Sequence, residues 1–221
     1  MSHSILKKTL LILLLLSIRT EAIADNSVTI TQVGDNNIIS MDVQGDDNSV
    51  VAKQACSANT CNGDTMVVDI TGDGNTMNLG QGYKISESGN WTYDNQEYGG
   101  HDMDLYVSGN DNSIILSQRS NNNISDHSMD INIYSDDNTV HAMQEQNVDK
   151  TLTLTINNDD NDVSIHQRKS HGHTATVTLS GSYGTDLDLQ QGTNNTTQGL
   201  SYSLSQNCQT VGGCSVSVSQ E

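Results

Sequence analysis

The sequence predicts an all-β protein, a two-sheet β-solenoid built from stacked strand-arc-strand repeats. Three observations lead there. Apolar and polar residues alternate with period two, as in Thr151 to Gln167, where Leu152, Leu154, Ile156, Val163 and Ile165 share one side. Such alternation marks strands with one buried face. Runs of Asn, Asp and Gly interrupt the alternation at regular phase, and these residues suit tight arcs because they bond their own backbone and tolerate left-handed dihedrals. Finally, the chain has no Phe, no Pro and one Trp in 221 residues. A three-dimensional core of ordinary thickness needs larger side chains, whereas a thin repetitive core needs only small aliphatics and bonded amides.

The first 24 residues read as a secretory signal peptide. Lys7 and Lys8 precede an apolar run from Leu10 to Leu16, too short to span a bilayer, and Ala22-Ile23-Ala24 is a small-x-small cleavage site. Removing them would leave 26 acidic against 6 basic residues. Nucleic acid is excluded as a partner for such a surface, since phosphates need Lys and Arg. No second hydrophobic segment points to membrane insertion.

Residues 25–221 then read as one repeat array, with about seven units after an amino-terminal half-unit, Asn26 to Gln32. Each unit has an apolar residue, a spacer, a small or polar arc, an Asn, and a Gln six residues later. Val43 leads through Gly45, Asp46 and Asp47 to Asn48 and Gln54; Ile70 through Gly72 to Asn75 and Gln81; Val107 through Gly109 to Asn112 and Gln118. Ile133 leads through Asp136 and Asp137 to Asn138 and Gln144, and Ile156 through Asp159 and Asp160 to Asn161 and Gln167. The last two units are worn: Leu179-x-Gly181 slips phase to reach Leu187, Leu189 and Gln191, and the final arc lengthens before Val216, Val218 and Gln220. Stacking buries each apolar stripe on its neighbour, for example Met129, Ile131, Ile133, Val140 and Ala142. Amide ladders through Gln32, Asn37, Asn48, Gln54, Asn75, Gln81, Asn112, Gln118, Asn138, Gln144, Asn161, Gln167, Gln191 and Gln220 keep polar groups satisfied inside. An isolated buried amide costs on the order of 1–3 kcal/mol.

Gln32-x-Gly34-x-x-Asn37, followed elsewhere by Asn and then Gln six residues on, resembles the curlin repeat in every unit from Asn26 to Gln220. Gln32 keeps the first Gln of that pattern, where Val43, Ile70, Val107, Ile133, Ile156 and Leu179 stand in the other units. Asp64, His101, His127, Lys150 and His173 occupy its Ser position. The resemblance implies a structural subunit of secreted curli-like amyloid fibres of a Gram-negative bacterium, self-associating at the cell surface for adhesion and biofilm matrix formation. It implies other curli-like subunits and an outer-membrane secretion pore as partners, and no cofactor.

Arc glycines are Gly34, Gly45, Gly72, Gly109 and Gly181. Cys56 with Cys61 and Cys208 with Cys214 fall close enough for local disulfides in an exported chain, and the spacing does not suit a zinc finger. Asp46, Asp47, Asp136, Asp137, Asp159 and Asp160 offer the oxygens calcium prefers. The nonapeptide calcium roll, however, repeats its turns more often than once per unit, so these read as turn and solubility residues. His101, His127 and His173 share a repeat position that Lys150 interrupts, which points to a polar edge-of-strand site and not to a metal column. The insertion at 82–100 holds Tyr83, Trp91, Tyr93 and Tyr98, suited either to surface adhesion or to packing on the array's side. No nucleophile elbow, phosphate loop or helical zinc motif is present, so an enzyme is not expected. The competing function is a monomeric, capped β-solenoid adhesin or glycan-binding protein.

Overall fold

The computed structural model describes residues 25–33, 37–55, 64–86, 89–93, 100–119, 127–145, 149–168, 172–192 and 199–220. The expected signal peptide, Gly34, the Cys56–Cys61 pair and Tyr98 lie outside them. Among the described residues the secondary structure is all β. The strands are β1 (Ser27–Val33), β2 (Ile38–Gln44), β3 (Ser49–Ala55), β4 (Thr65–Thr71), β5 (Thr76–Gln81), β6 (Tyr83–Ile85), β7 (Trp91–Tyr93) and β8 (Val107–Ser108). They continue with β9 (Ser113–Gln118), β10 (Thr139–Val140), β11 (Lys150–Thr151), β12 (His173–Thr174), β13 (Thr185–Asp186), β14 (Leu200–Ser201) and β15 (Cys214–Ser215).

The chain alternates between two parallel sheets. One runs β1-β3-β5-β9-β10 and the other β2-β4-β8, so each strand pairs with its counterpart one unit along and not with its sequence neighbour. Register is unit on unit: Val28 pairs with Val50, Val50 with Met77 and Met77 with Ile114. In the second sheet Met41 pairs with Val68 and Val43 with Ile70. The arrangement is β-solenoid-like. Inward side chains of both sheets form one continuous core, from Val50 and Met66 through Leu116, Ile131 and Leu154 to Leu189. At roughly 25 cal/mol per Å², such an apolar stripe is what offsets the entropy of ordering the chain.

From residue 104 onward every strand except β9 is short while the stacking continues. Asp104, Leu105, Tyr106, Thr153 and Thr155 have φ between 53° and 75°, which breaks the extended conformation of the second sheet. The backbone bonds persist regardless: Thr153 N–H donates to Met129 O, Thr155 N–H to Ile131 O and Asn157 N–H to Ile133 O.

The hairpin of β6 and β7 is antiparallel and covers the outward side of the first sheet. Trp91 lies over Gly80, where an added Cβ would come within 3.0 Å of the indole. Lys53 Nζ sits 4.2 Å from the Trp91 ring centroid, and Ser117 Oγ donates to Tyr83 O at 2.6 Å. Since Lys53, Gly80 and Ser117 are register partners, the described part of the insertion packs across three successive units.

Candidate assembly ladders and arcs

Two side-chain columns line the core's polar margin. In the first, each Asn Oδ1 accepts both the backbone N–H and the Nδ2–H of the Asn one unit along. Asn75 donates to Asn48 at 3.0 and 2.9 Å, Asn112 to Asn75 at 3.0 and 3.0 Å, and Asn138 to Asn112 likewise. Asn161 donates to Asn138 at 3.0 and 2.8 Å. The remaining Nδ2–H closes the arc, as from Asn48 to Gly72 O and from Asn75 to Gly109 O.

At the amino-terminal end this column is completed by Asn26, to which Asn48 donates from N and Nδ2, and not by Asn37. The register explains the correction. Ile38 pairs with Thr65, which sets Asn37 beside Asp64 in the opposite arc, where its Oδ1 accepts the Asp64 N–H. Gln32 likewise pairs with Gln54 and not with the Val43 position. Asn26 was legible as the half-unit's start; only the pairing register reveals its role.

The second column is glutamine. Gln32 Nε2 donates to Gln54 Oε1, Gln54 to Gln81 and Gln81 to Gln118, at 2.9, 2.8 and 3.1 Å. Beyond that point the polarity reverses: Gln167 donates to Gln144, Gln191 to Gln167 and Gln220 to Gln191, at 2.6, 2.6 and 2.7 Å. The same amides cross the core margin to backbone carbonyls, as Gln81 does to Thr65 O and Gln191 to Thr174 O.

The acidic arcs pair in their own way. Asp136 Oδ1 accepts the Asn110 N–H at 2.6 Å and Asp159 Oδ1 the Asp136 N–H at 3.0 Å; Asp46 N–H donates to Asp73 Oδ1. These carboxylates are engaged by backbone. Asp111, Asp137 and Asp160 form a separate column with φ of 54°, 56° and 59°, and Asp47, with φ of 57°, takes the same position on the far side of Gly74. There the pKa of Asp137 is raised, by desolvation first and then by Asp111, Asp160, Asp136 and Asp159. Among the described residues no group of three or more His, Cys, Asp or Glu is placed to hold a metal ion.

Gly45, Gly72 and Gly109 stack with no room for a side chain. A Cβ on Gly72 would lie 2.1 Å from Gly109 O, and one on Gly109 2.0 Å from Ser135 O. Gly181 is similarly close to Cys208 backbone. Cys208 and Cys214 are joined in the final arc.

The histidine position falls at strand ends: Lys150 opens β11 and His173 opens β12. Asp64, His101, His127, Lys150 and His173 are register partners and are all buried. Polarity there breaks the apolar rhythm of the sequence, yet the position faces the inside of the opposite arc.

With this geometry in view, comparison with known families matches residues 24–55 to the curlin associated repeat. The chain carries a curlin-associated repeat. The matched span runs from the half-unit through β3, and so contains Asn26, Gln32, Asn48 and Gln54, the founding members of both amide columns. It is also where Gln32-x-Gly34 stands; the later units, which lie outside the match, have an aliphatic residue in place of that Gln. No curated protein and no solved structure matches the chain.

Proposed function

We propose that this chain is a structural subunit of secreted, curli-like amyloid fibres, a two-sheet β-solenoid over residues 25–221 that adds end to end at the cell surface. The observation that carries the reading is the sheet edge that β1 leaves unpaired among the described residues. Val28 and Ile30 are 44% and 49% exposed, whereas their register partners one unit inward, Val50 and Ala52, are 1% and 0% exposed. A further copy stacked in register would cover them as Val50 and Ala52 are covered, and would extend the amide columns at Asn26 and Gln32. At the other end Tyr202, Leu204, Val216 and Val218 are only partly buried. Open parallel edges of this kind are templates for another chain. The curlin-associated repeat supports the same reading, since that family is structural and extracellular. Adhesion and biofilm matrix formation, other curli-like subunits, and export through an outer-membrane pore follow from it.

The capped adhesin is less well supported, because Trp91 is packed on Gly80 and Lys53 and is not presented to a glycan. Thioflavin-T kinetics on the chain without residues 1–24, with electron microscopy and fibre diffraction, test the proposal. A lag followed by fibres with spacings of roughly 4.7 and 10 Å is expected. A persistently monomeric β-rich protein would overturn it.

A further inference from the structure

The column Asp64, His101, His127, Lys150 and His173 places ionisable groups where the other arc places bonded asparagines. All five are essentially inaccessible to solvent. At its amino-terminal end the charge is managed: Asp64 Oδ1 lies 2.9 Å from His101 Nδ1 and also accepts the N–H groups of Gly100 and His101. One unit along, His127 stacks on His101 with ring centroids 4.9 Å apart, and neither of its ring nitrogens has a hydrogen-bond partner. On its far side it pairs with Lys150. A proton added to His127 therefore arrives on a buried ring between a histidine and a lysine. Asp64 is spent on His101, and the described carboxylates nearby, Asp102 and Asp149, line a shallow surface cleft with His127 and Lys150. Arg119 and Glu145, which face each other at 3.7 Å where the chain leaves the first sheet, compensate one another.

We propose that this arc is an acid-labile seam: proton uptake by His127 loosens the stack around residues 101–108, 127–134 and 150–156 while the asparagine and aspartate arc holds. Burial, His101 and Lys150 all disfavour the imidazolium and lower the His127 pKa well below its ordinary value. The sign follows from linkage. A base whose folded pKa is depressed contributes stability above its unfolded pKa, near 6.5, and loses it as pH falls below that value. The opposite arc responds the other way, since Asp137 binds its proton more readily folded than unfolded. The inference concerns one chain's interior and does not depend on fibre formation.

Hydrogen exchange of the chain without residues 1–24, measured by mass spectrometry from pH 7.5 to 5 and corrected for intrinsic rates, is the test. In the three segments, opening should rise about tenfold per pH unit below about 6.5, as uptake of one proton requires. His127→Gln should abolish that rise, while segments 38–54 stay protected in both. An equal rise in His127→Gln, or none in the unaltered chain, would overturn the proposal. If His127→Gln does not fold, the ring resonances of His127 decide. A neutral ring in the protected state, charging only as the segments open, supports the seam; titration near 6.5 with protection unchanged refutes it.

Discussion

Gln118 and Gln144 are neighbours in the glutamine column, and their amides do not bond. Gln118 accepts from Gln81 and Gln144 accepts from Gln167, so two ladders of opposite polarity meet there, and Gln118 Nε2 is left without a partner. A ladder gains by each amide polarising the next, and a reversal forfeits one link. Gln118→Met should therefore cost at least about 1 kcal/mol less than Gln81→Met. The latter removes the donor to Gln118 Oε1 and to Thr65 O. It also removes one of the two acceptors of Gln54 Nε2, which keeps Ile38 O, while His101 O keeps the Thr65 N–H. Each group left unsatisfied costs about 1–3 kcal/mol. Urea denaturation of the soluble variants compares them; equal costs would show that the fault has no energetic consequence.

Glycine at position 72 is required by crowding more than by conformation. Gly72 and Gly212 both have positive φ, 132° and 96°. A Cβ at Gly72 would press on Gly109 O at 2.1 Å, whereas one at Gly212 meets nothing within 4 Å. Gly212→Ala should cost about 1–2 kcal/mol, the left-handed penalty alone. Gly72→Ala should cost more than about 3 kcal/mol or prevent stacking, because the two backbones must move apart. Thermal unfolding by circular dichroism would separate the two.

The asparagine column ends where the repeat wears out. From the next unit Asn161 Oδ1 accepts the Thr185 backbone N–H, at 2.8 Å, and no side-chain amide; its other donor is Asn158 Nδ2 of its own arc, at 3.2 Å. The buried Thr185 Oγ1 is unpartnered. Thr185→Asn should restore the side-chain bond that every earlier unit makes and remove the orphaned hydroxyl, raising stability by about 0.5–1.5 kcal/mol. A fall in the urea midpoint would show that the shifted phase at Leu187 and Leu189 leaves no space for the amide.

What could be read from the sequence divides along a physical line. The inward aliphatics, Met129, Ile131, Ile133, Val140 and Ala142 among them, are all buried, because period two fixes which face each residue takes. Column membership is harder. It depends on pairing between units, so Asn37 fits the amide pattern locally yet lies opposite Asp64, and Asn26 takes the place assigned to it. Burial of polar residues in a thin fold is not legible either: His127 and Lys150 read as a polar edge-of-strand position, and a sequence does not reveal that both arcs close over their contents. Ladder direction, including the reversal at Gln118, leaves no trace in residue type at all.

Stacked carboxylates set the pH response of the exposed arc. Asp111, Asp137 and Asp160 occupy the same left-handed position in successive units, spaced by roughly 4.8 Å, inside a Debye length of roughly 8 Å. Desolvation first, and then repulsion from the neighbouring carboxylates, raise the Asp137 pKa. A carboxyl with a raised folded pKa is protonated more readily when folded, so stability and stacking gain as pH falls towards that pKa, and lose as pH rises through it. Asp137→Asn, which keeps an amide suited to the left-handed turn, removes the central charge. It should shorten the lag of thioflavin-T assembly at pH 7 and make the lag less sensitive to mild acid. Millimolar calcium, which screens the same column, should shorten the lag of the unaltered chain more than that of the variant. If pH and calcium leave the lag of both chains unchanged, repulsion along this column does not limit stacking, and the arcs serve only to turn the chain.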